Sequence, residues 1–248
     1  KLSTSINLEA FEPIVKASKN AGVKRFIYAS SSSVYGVSEE KDVTEEHPLV
    51  PLTLYNKYKG MCEPILNSYR SDEFVVTTFR PATVCGYAPR LRLDLSVNIL
   101  TNHAICKDKI TVFGGSQLRP NLHVKDYVRA CELFIDADEN SINGQVFNVG
   151  HENMSIGDLA EVVRNVVLLE FPEKNKINIV TTSSDDIRSY HINSEKIKRE
   201  LGFAPKYGVK DAVKDLCVAF RRGMVQDSFE NDLYYNIKTM KKIQSSYV

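Results

Sequence analysis

Hydrophobic residues in this chain form short apolar runs that alternate with longer segments of helical spacing. The runs are rich in β-branched and aromatic side chains and predict strands at 25–30, 74–80, 110–113, 146–149 and 176–181. Apolar residues three or four positions apart predict helices at 4–20, from 54 onward, and at 91–107, 125–137, 156–170 and 209–222. This alternation predicts an α/β fold with a parallel sheet and a smaller C-terminal lobe.

The first predicted strand ends in four consecutive serines, at positions 30–33. After a loop with several carboxylates, the next helix carries Tyr55 and Lys59 one turn apart on one face. A serine hydroxyl at the carboxyl end of a strand, facing a phenol next to an ammonium group, can move protons on an alcohol or sugar hydroxyl. Ser31, Tyr55 and Lys59 are therefore candidates for chemistry.

The spacing Tyr-x-x-x-Lys indicates little by itself, because Tyr234 and Lys238 repeat it in a polar C-terminal segment. No serine-ended strand precedes that second pair, which we interpret as an ordinary exposed helix pair. For the first pair, the alternative interpretation is a serine-rich turn followed by a solvated helix without chemical function.

Composition excludes several classes of function. The 248 residues are 43% apolar, enough for a substantial core, and the formal charge of +1 provides no field for nucleic acid or an anionic membrane surface. No apolar run is long enough to span a bilayer. The five cysteines lack Cys-x-x-Cys spacing and the five histidines lack metal-ligand spacing. We therefore expect free thiols, no metal and a cytoplasmic location.

The stretch Tyr28-Ala-Ser-Ser-Ser-Ser-Val-Tyr-Gly36, followed by Tyr55-Asn-Lys-Tyr-Lys59, resembles the extended short-chain dehydrogenase/reductase superfamily. The resemblance is to its NAD-dependent nucleotide-sugar epimerase/dehydratase branch, to which UDP-glucose 4-epimerase belongs. The segments 79–86 and 110–126 also resemble that branch, and the likeness covers about the first 220 residues. It implies a Rossmann-type doubly wound parallel sheet with a smaller substrate-binding lobe.

The resemblance implies NAD as the cofactor and a nucleotide-diphosphate sugar as the substrate. Tyr55 would be the general base for the sugar hydroxyl at C4, Ser31 would bridge its proton, and Lys59 would hold the nicotinamide ribose and help to lower the pKa of Tyr55. The implied cofactor-binding residues are Asn7, Ser30, Tyr55, Lys59 and Pro81. The implied substrate-binding residues are Ser32, Thr83, Arg119 and Arg188, and the two arginines suit a diphosphate.

The residues after Ser31 favour an epimerase. In the 4,6-dehydratases of this branch an Asp-Glu pair follows the catalytic hydroxyl, whereas here Ser32 and Ser33 follow it and do no acid–base work near neutrality. The predicted reaction is epimerisation at C4 through a transient 4-keto sugar. The alternatives are a nucleotide-sugar 4,6-dehydratase or ketoreductase and, from another class, a non-catalytic NAD-binding or regulatory relative. Thr83 stands where the epimerases usually have an asparagine, so the sugar and the nucleotide stay open.

Three expectations concern the organisation of the chain. Neither Gly-x-x-Gly-x-x-Gly nor Gly-x-Gly-x-x-Gly occurs, and the first residue is Lys1, so we expect a fragment without about three N-terminal strands of the dinucleotide fold. Residues 1–90 would be the C-terminal part of the NAD-binding domain, 91–223 a mixed, mainly substrate-binding lobe, and 224–248 a polar tail. The family commonly dimerises through the two helices that flank the serine strand, so a homodimer is expected.

Overall fold

The computed structural model of the protein describes residues 2–40, 42–183 and 189–245. The helices are α1 (Leu2–Thr4), α2 (Phe11–Asn20), α3 (Leu54–Ser68), α4 (Ser96–Lys107), α5 (Val124–Asp136), α6 (Glu139–Ile142), α7 (Ile156–Glu170), α8 (Glu195–Leu201), α9 (Val209–Arg221) and α10 (Asn236–Ser245). The strands are β1 (Arg25–Ala29), β2 (Val75–Pro81), β3 (Thr83–Cys85), β4 (Lys109–Phe113), β5 (Leu118–His123), β6 (Val146–Val149), β7 (Glu152–Ser155) and β8 (Asn178–Thr182). A π-helical turn lies at Ser5–Glu9, and 3-10 turns lie at Ser32–Tyr35 and Asp232–Tyr234.

The strands β1, β2 and β6 form one parallel sheet with β2 in the middle. Helices cover both of its faces: Val76 belongs to a cluster with Leu66 of α3, and the Phe79 ring lies 5.3 Å from the Phe134 ring of α5. Because the strands are parallel, their carboxyl ends meet at one edge, where Pro81 pairs with Val149. The predicted parallel α/β fold is confirmed.

Helix α3 begins at a threonine cap. The Thr53 side chain accepts a hydrogen bond from Asn56 N at 3.2 Å and so satisfies one of the free amides of the first turn. The cap places Tyr55 in the first turn and Lys59 in the second. The helix then continues through Pro64 to its end. A local cap in the sequence thus decides which residues face the carboxyl end of β1.

A second sheet, of β3, β5 and β7, was not predicted. Strand β5 pairs in parallel with β3 and antiparallel with β7, although its sequence Leu-Arg-Pro-Asn-Leu-His carries no β-branched residue. Tertiary pairing here outweighs local propensity. Helix α4 also begins later than predicted, at Ser96, because residues 91–95 form a separate non-helical segment.

The C-terminal segment, which its composition describes as a polar tail, packs against residues 91–93. Leu93 N donates to Tyr234 O at 2.9 Å, and Leu91 and Leu93 form an apolar cluster with Tyr234 and Tyr235. The segment is rich in charged residues and therefore looks polar by composition, but its tyrosine rings supply apolar surface for packing. Within the described ranges, no helix is long and apolar enough to cross a bilayer.

Candidate active site

A cleft of about 460 Å³ lies at the carboxyl ends of β1 and β2. The predicted site residues that line it are Ser30, Ser31, Ser32, Tyr55, Lys59, Pro81 and Thr83. They come from the end of β1 and the turn after it, the first two turns of α3, the end of β2 and the start of β3. The fold therefore brings together most of the cofactor and substrate positions that the sequence predicts.

The serine run forms a short turn that is tied to α3. Ser33 Oγ donates to Asn56 Oδ1 at 2.8 Å. Ser31 Oγ lies 2.7 Å from Ser33 Oγ and is therefore the donor in that contact, because the Ser33 proton is already used. Asn56 adjoins Tyr55, so this chain of hydroxyls fixes Ser31 relative to the first turn of α3.

Lys59 lies between the end of β1 and the phenol of Tyr55. Its Nζ donates to Ala29 O at 2.8 Å and lies 4.9 Å from the Tyr28 ring centroid and 5.9 Å from that of Tyr55. Ala29 O is the one hydrogen-bond acceptor of Nζ in the part of the chain that the structure describes. Two of the three N–H donors of the ammonium group are thus left for a ligand. Tyr55 is 46% exposed and presents its ring to the cleft.

The protein alone does not favour the phenolate of Tyr55. Burial raises the pKa of Tyr55 above its ordinary value of 10.0, and the nearby Arg92 guanidinium offsets part of that rise. Burial also lowers the pKa of Lys59. A Tyr55 base that works at neutral pH therefore needs more positive charge than the chain supplies by itself.

A buried ion pair holds α3 against the sheet beneath the cleft. Arg80 of β2 donates from Nη2 to Glu63 Oε2 at 2.6 Å and from Nε to Oε1 at 3.0 Å, and both side chains are 7% exposed. Ser30 Oγ donates to the same Oε1 at 2.6 Å, so its proton is turned toward Glu63. Because Glu63 follows Lys59 by one helical turn, the pair links β1, β2 and α3 below the candidate catalytic groups.

A second cleft, of about 360 Å³, adjoins the first at the start of α4, because Asp94 lines the second and Leu95 lines the first. Arg119 of β5 lines this second cleft. Its guanidinium carbon lies 5.3 Å from the Tyr190 ring centroid, and Tyr190 lines the first cleft. Arg119 therefore stands beside both clefts, whereas Arg188 lies outside the described residues.

Asn7 is not among the residues that line either cleft. Its side chain donates to Ser3 O at 3.0 Å, and its carbonyl oxygen accepts a hydrogen bond from Cys62 Sγ at 3.3 Å. The structure thus gives Asn7 a contact between the first helical turns and α3.

Among the described lining residues that sequence reasoning missed are the three largest, Arg92, Tyr127 and Tyr190. They come from a loop, from α5 and from a segment far along the chain, so no local pattern joins them. For Arg92 a signal existed: the run Arg-Leu-Arg-Leu-Asp at 90–94 alternates charged and apolar residues, which is typical of an extended segment with one buried side.

Residues 3–150 match the sequence model of the NAD dependent epimerase/dehydratase family, which is more than half of the chain. The chain belongs to this family. The matched region contains the serine run, Tyr55, Lys59 and Arg119, and the resemblance drawn from the sequence is confirmed. The family is NAD-dependent.

Relatives in the family include both epimerases and dehydratases. The UDP-glucose 4-epimerase of Bacillus subtilis is 26% identical over 228 residues, which cover 84% of this chain and 66% of the relative. The dTDP-D-glucose 4,6-dehydratase of Homo sapiens is 29% identical over 220 residues, which cover 85% of this chain and 60% of the relative. A solved structure of MoeE5 in complex with UDP-glucuronic acid and NAD superposes with a TM-score of 0.76 at 26% identity, covering 89% of this chain and 72% of that chain. The chain thus spans somewhat less than two thirds of these two curated relatives.

The donors in the first cleft fit the nicotinamide ribose of NAD. The two remaining N–H groups of Lys59 and the hydroxyl of Tyr55 suit ribose hydroxyls, which both accept and donate hydrogen bonds. None of the described residues that line the cleft is acidic, so nothing in that described part of the lining repels an anionic cofactor or substrate.

Proposed function

We propose that the protein is an NAD-dependent nucleotide-sugar epimerase that acts at C4 through a transient 4-keto sugar. The observation that carries this proposal is the convergence of Ser31, Tyr55 and Lys59 in one cleft at the carboxyl ends of β1 and β2. In open α/β sheets, ligands bind at this edge. When bound, NAD accepts a hydride from the sugar carbon and returns it.

In this proposal, Tyr55 takes the proton of the C4 hydroxyl and Ser31 carries it between sugar and phenol. For this relay, the Ser31 hydroxyl turns its one proton from Ser33 Oγ toward the phenolate of Tyr55, and its oxygen accepts the proton of the sugar hydroxyl; both residues line the cleft in which the sugar would lie. Lys59 holds the nicotinamide ribose with the N–H groups that Ala29 does not use. Its ammonium charge also favours the phenolate once a ligand covers the cleft and excludes water.

Roles for the other predicted residues follow from their positions. Pro81 and the Ser30 backbone would border the cofactor, while Ser32 and Thr83 would face the sugar. Arg119 would bind the diphosphate, because it stands between the two clefts. The proposed roles of Asn7 in cofactor binding and of Arg188 in substrate binding rest on the family resemblance.

A nucleotide-sugar 4,6-dehydratase or a ketoreductase is the alternative activity, since human dTDP-D-glucose 4,6-dehydratase is a relative. Two observations favour the epimerase. Ser32 and Ser33 stand in place of an Asp-Glu pair, and no acidic side chain lies among the described residues that line the cleft. A 4,6-dehydratase needs an acid and a base at C6 and C5, and the serine hydroxyls do not ionise near neutral pH.

The test is product analysis in D2O, with NAD and either UDP-glucose or dTDP-glucose as substrate. An epimerase returns the hydride without exchange, so the product is the C4 epimer without deuterium on carbon. A dehydratase gives a 4-keto-6-deoxy sugar with deuterium at C5, and that product would overturn the proposal in favour of the alternative. The variant Tyr55→Phe serves as the control that locates the chemistry in this cleft.

We further propose a homodimer, two lobes and a cytoplasmic location. Ile14 of α2 is 54% exposed and Met61 of α3 is 41% exposed, so both helices beside the serine strand present apolar surface to a second subunit.

The proposed lobes are 1–90 for the cofactor and 91–223 for the substrate, with β6 returning to the first sheet. All five cysteines are free thiols, which supports a reducing compartment.

A further inference from the structure

Arg92 lies in the candidate active site, but the proposed reaction gives it no role. It lines the same cleft as Ser31 and Tyr55, and its side chain is 37% exposed. Its Nε donates to Asp94 Oδ1 at 2.9 Å. Within the described ranges, neither of its Nη nitrogens has a hydrogen-bond acceptor, so the outer side of the guanidinium group offers its donors to the cleft.

The C-terminal segment holds the chain on which Arg92 stands. Asp94 Oδ2 accepts a hydrogen bond from Asn236 N at 2.9 Å, at the start of α10. Leu93 N donates to Tyr234 O at 2.9 Å, and the leucine side chain is fully buried. One carboxylate therefore joins the Arg92 guanidinium to the backbone of the C-terminal segment, and this fixes the direction in which Arg92 points.

We propose that Arg92 is a substrate-binding residue that donates to an oxyanion of the bound nucleotide sugar, and that the C-terminal segment 231–236 positions it through Asp94. This rests on the proposed function in taking a nucleotide sugar as the ligand. A guanidinium group with one side held by a carboxylate and two nitrogens free suits the paired oxygens of a phosphate or a carboxylate. The oxyanion is therefore either the diphosphate or a carboxylate on the sugar.

The cleft has the electrostatics that such an anion requires. Lys59 and Arg92 both line it, and the described part of its lining contains no acidic side chain. Arg92 and Tyr55 line the same cleft, and the guanidinium charge offsets part of the rise that burial causes in the pKa of Tyr55. Arg119 lines the neighbouring cleft and contacts Tyr190 of this one, so both arginines stand where one extended ligand could reach them.

The first experiment measures equilibrium binding of UDP, UDP-glucose and UDP-glucuronic acid to the wild type, to Arg92→Gln and to the matched control Arg90→Gln. Arg90 also contacts the C-terminal segment, through Asn236 Oδ1 at 3.1 Å, but does not line the cleft. We expect Arg92→Gln to weaken binding by about tenfold or more and Arg90→Gln to leave it unchanged. Equal losses for all three probes indicate the diphosphate, and a loss confined to UDP-glucuronic acid indicates a sugar carboxylate; both support the inference. Unchanged binding in Arg92→Gln, or a wild type that binds none of the probes, overturns it.

A second pair of variants tests the positioning role. Asn236→Pro removes the backbone N–H that Asp94 accepts, and proline is tolerated at the first position of a helix after the extended Tyr235. Asn236→Ala keeps that N–H and loses only the side chain. We expect Asn236→Pro to raise KM severalfold with little change in kcat, and Asn236→Ala to resemble the wild type; equal KM values for the two variants would refute the positioning. Because binding is measured without turnover, Arg92-dependent binding without epimerisation would contradict the proposed function alone.

Discussion

The chain contains two Tyr-x-x-x-Lys segments, and the structure treats them differently. Tyr55 and Lys59 belong to one helix, α3, and face one cleft. Tyr234 ends a 3-10 turn, and Lys238 belongs to α10, which begins two residues later. Lys238 Nζ donates to Phe229 O at 2.9 Å. The second pair is therefore not the exposed helix pair that the spacing predicts.

The difference lies in the residues before each tyrosine. Thr53 caps α3, so the helix is established before Tyr55 and the four-residue spacing becomes a shared face. After Tyr234 the backbone is extended at Tyr235, and the same spacing no longer places the side chains together. The spacing Tyr-x-x-x-Lys therefore indicates a candidate active site only where a helix cap precedes it and a strand end faces it.

The two segments also differ in what holds them in place. The variant with the largest expected effect removes the buried ion pair that holds α3 against the sheet. Glu63→Gln would leave the Arg80 charge buried without its carboxylate partner and should destabilise the protein by about 3–5 kcal/mol. The matched control is Glu161→Gln, which breaks an exposed pair with Arg164 and should cost less than about 1 kcal/mol. Chemical denaturation measures both. Equal losses in the two variants would mean that the buried pair does not anchor α3.

The next effect compares the two lysines directly. Lys59→Met removes the donors proposed for the nicotinamide ribose and should lower kcat/KM by about tenfold to a hundredfold. Lys238→Met removes an exposed contact to Phe229 O and should leave kcat/KM unchanged. Steady-state kinetics with saturating NAD measure both variants. Similar losses would remove the distinction between the two segments.

A titration of Tyr55 tests the electrostatics of the first segment. Burial disfavours its charged phenolate, so in the protein without cofactor Tyr55 should ionise above its ordinary value of 10.0. Arg92 favours the phenolate, so Arg92→Gln should raise the pKa of Tyr55 further. The difference in tyrosinate absorbance between each protein and its Tyr55→Phe counterpart isolates this one group. Ionisation of Tyr55 below pH 10 without cofactor would contradict the raised pKa.

The raised pKa of Tyr55 also makes the stability of the protein depend on pH. Because the unfolded chain releases the Tyr55 proton at a lower pH than the folded one, the contribution of Tyr55 to stability is present below pH 10 and falls as pH rises toward the folded pKa. The stability of Tyr55→Phe should therefore fall less steeply in alkali than that of the wild type, as denaturation at several alkaline pH values would measure. Equal slopes would contradict the raised pKa.

Much of this architecture could be predicted from the sequence, because local signals and tertiary demands agree there. The buried strand at 25–29 and the capped helix after Thr53 both have the periodicity of the element that they form. Strand β5 carries Arg119 and Pro120 and is stabilised by its neighbours, so its pattern did not reveal it. The alternating run at 90–94 indicates an extended segment around Arg92, but the contact of Asp94 with Asn236, more than a hundred residues away, leaves no local pattern in the sequence.

The smallest expected effect concerns the hydroxyl chain beside Tyr55. Ser33→Ala removes the link between Ser31 and Asn56 and should lower kcat by about twofold to tenfold, because a neutral hydrogen bond contributes about 1 kcal/mol. Ser38→Ala, which removes an exposed contact to Glu40 N, is the matched control. A Ser33→Ala enzyme with the kcat of its control would mean that the Ser31 orientation does not depend on this chain.

The most direct test of the central claim is the turnover of Tyr55→Phe loaded with NAD, measured beside the wild type on the same nucleotide sugar. If Tyr55 is the base, turnover should fall by about a hundredfold to ten-thousandfold while the nucleotide sugar still binds. Unchanged turnover would contradict the assignment of the chemistry to this tyrosine and to the cleft around it.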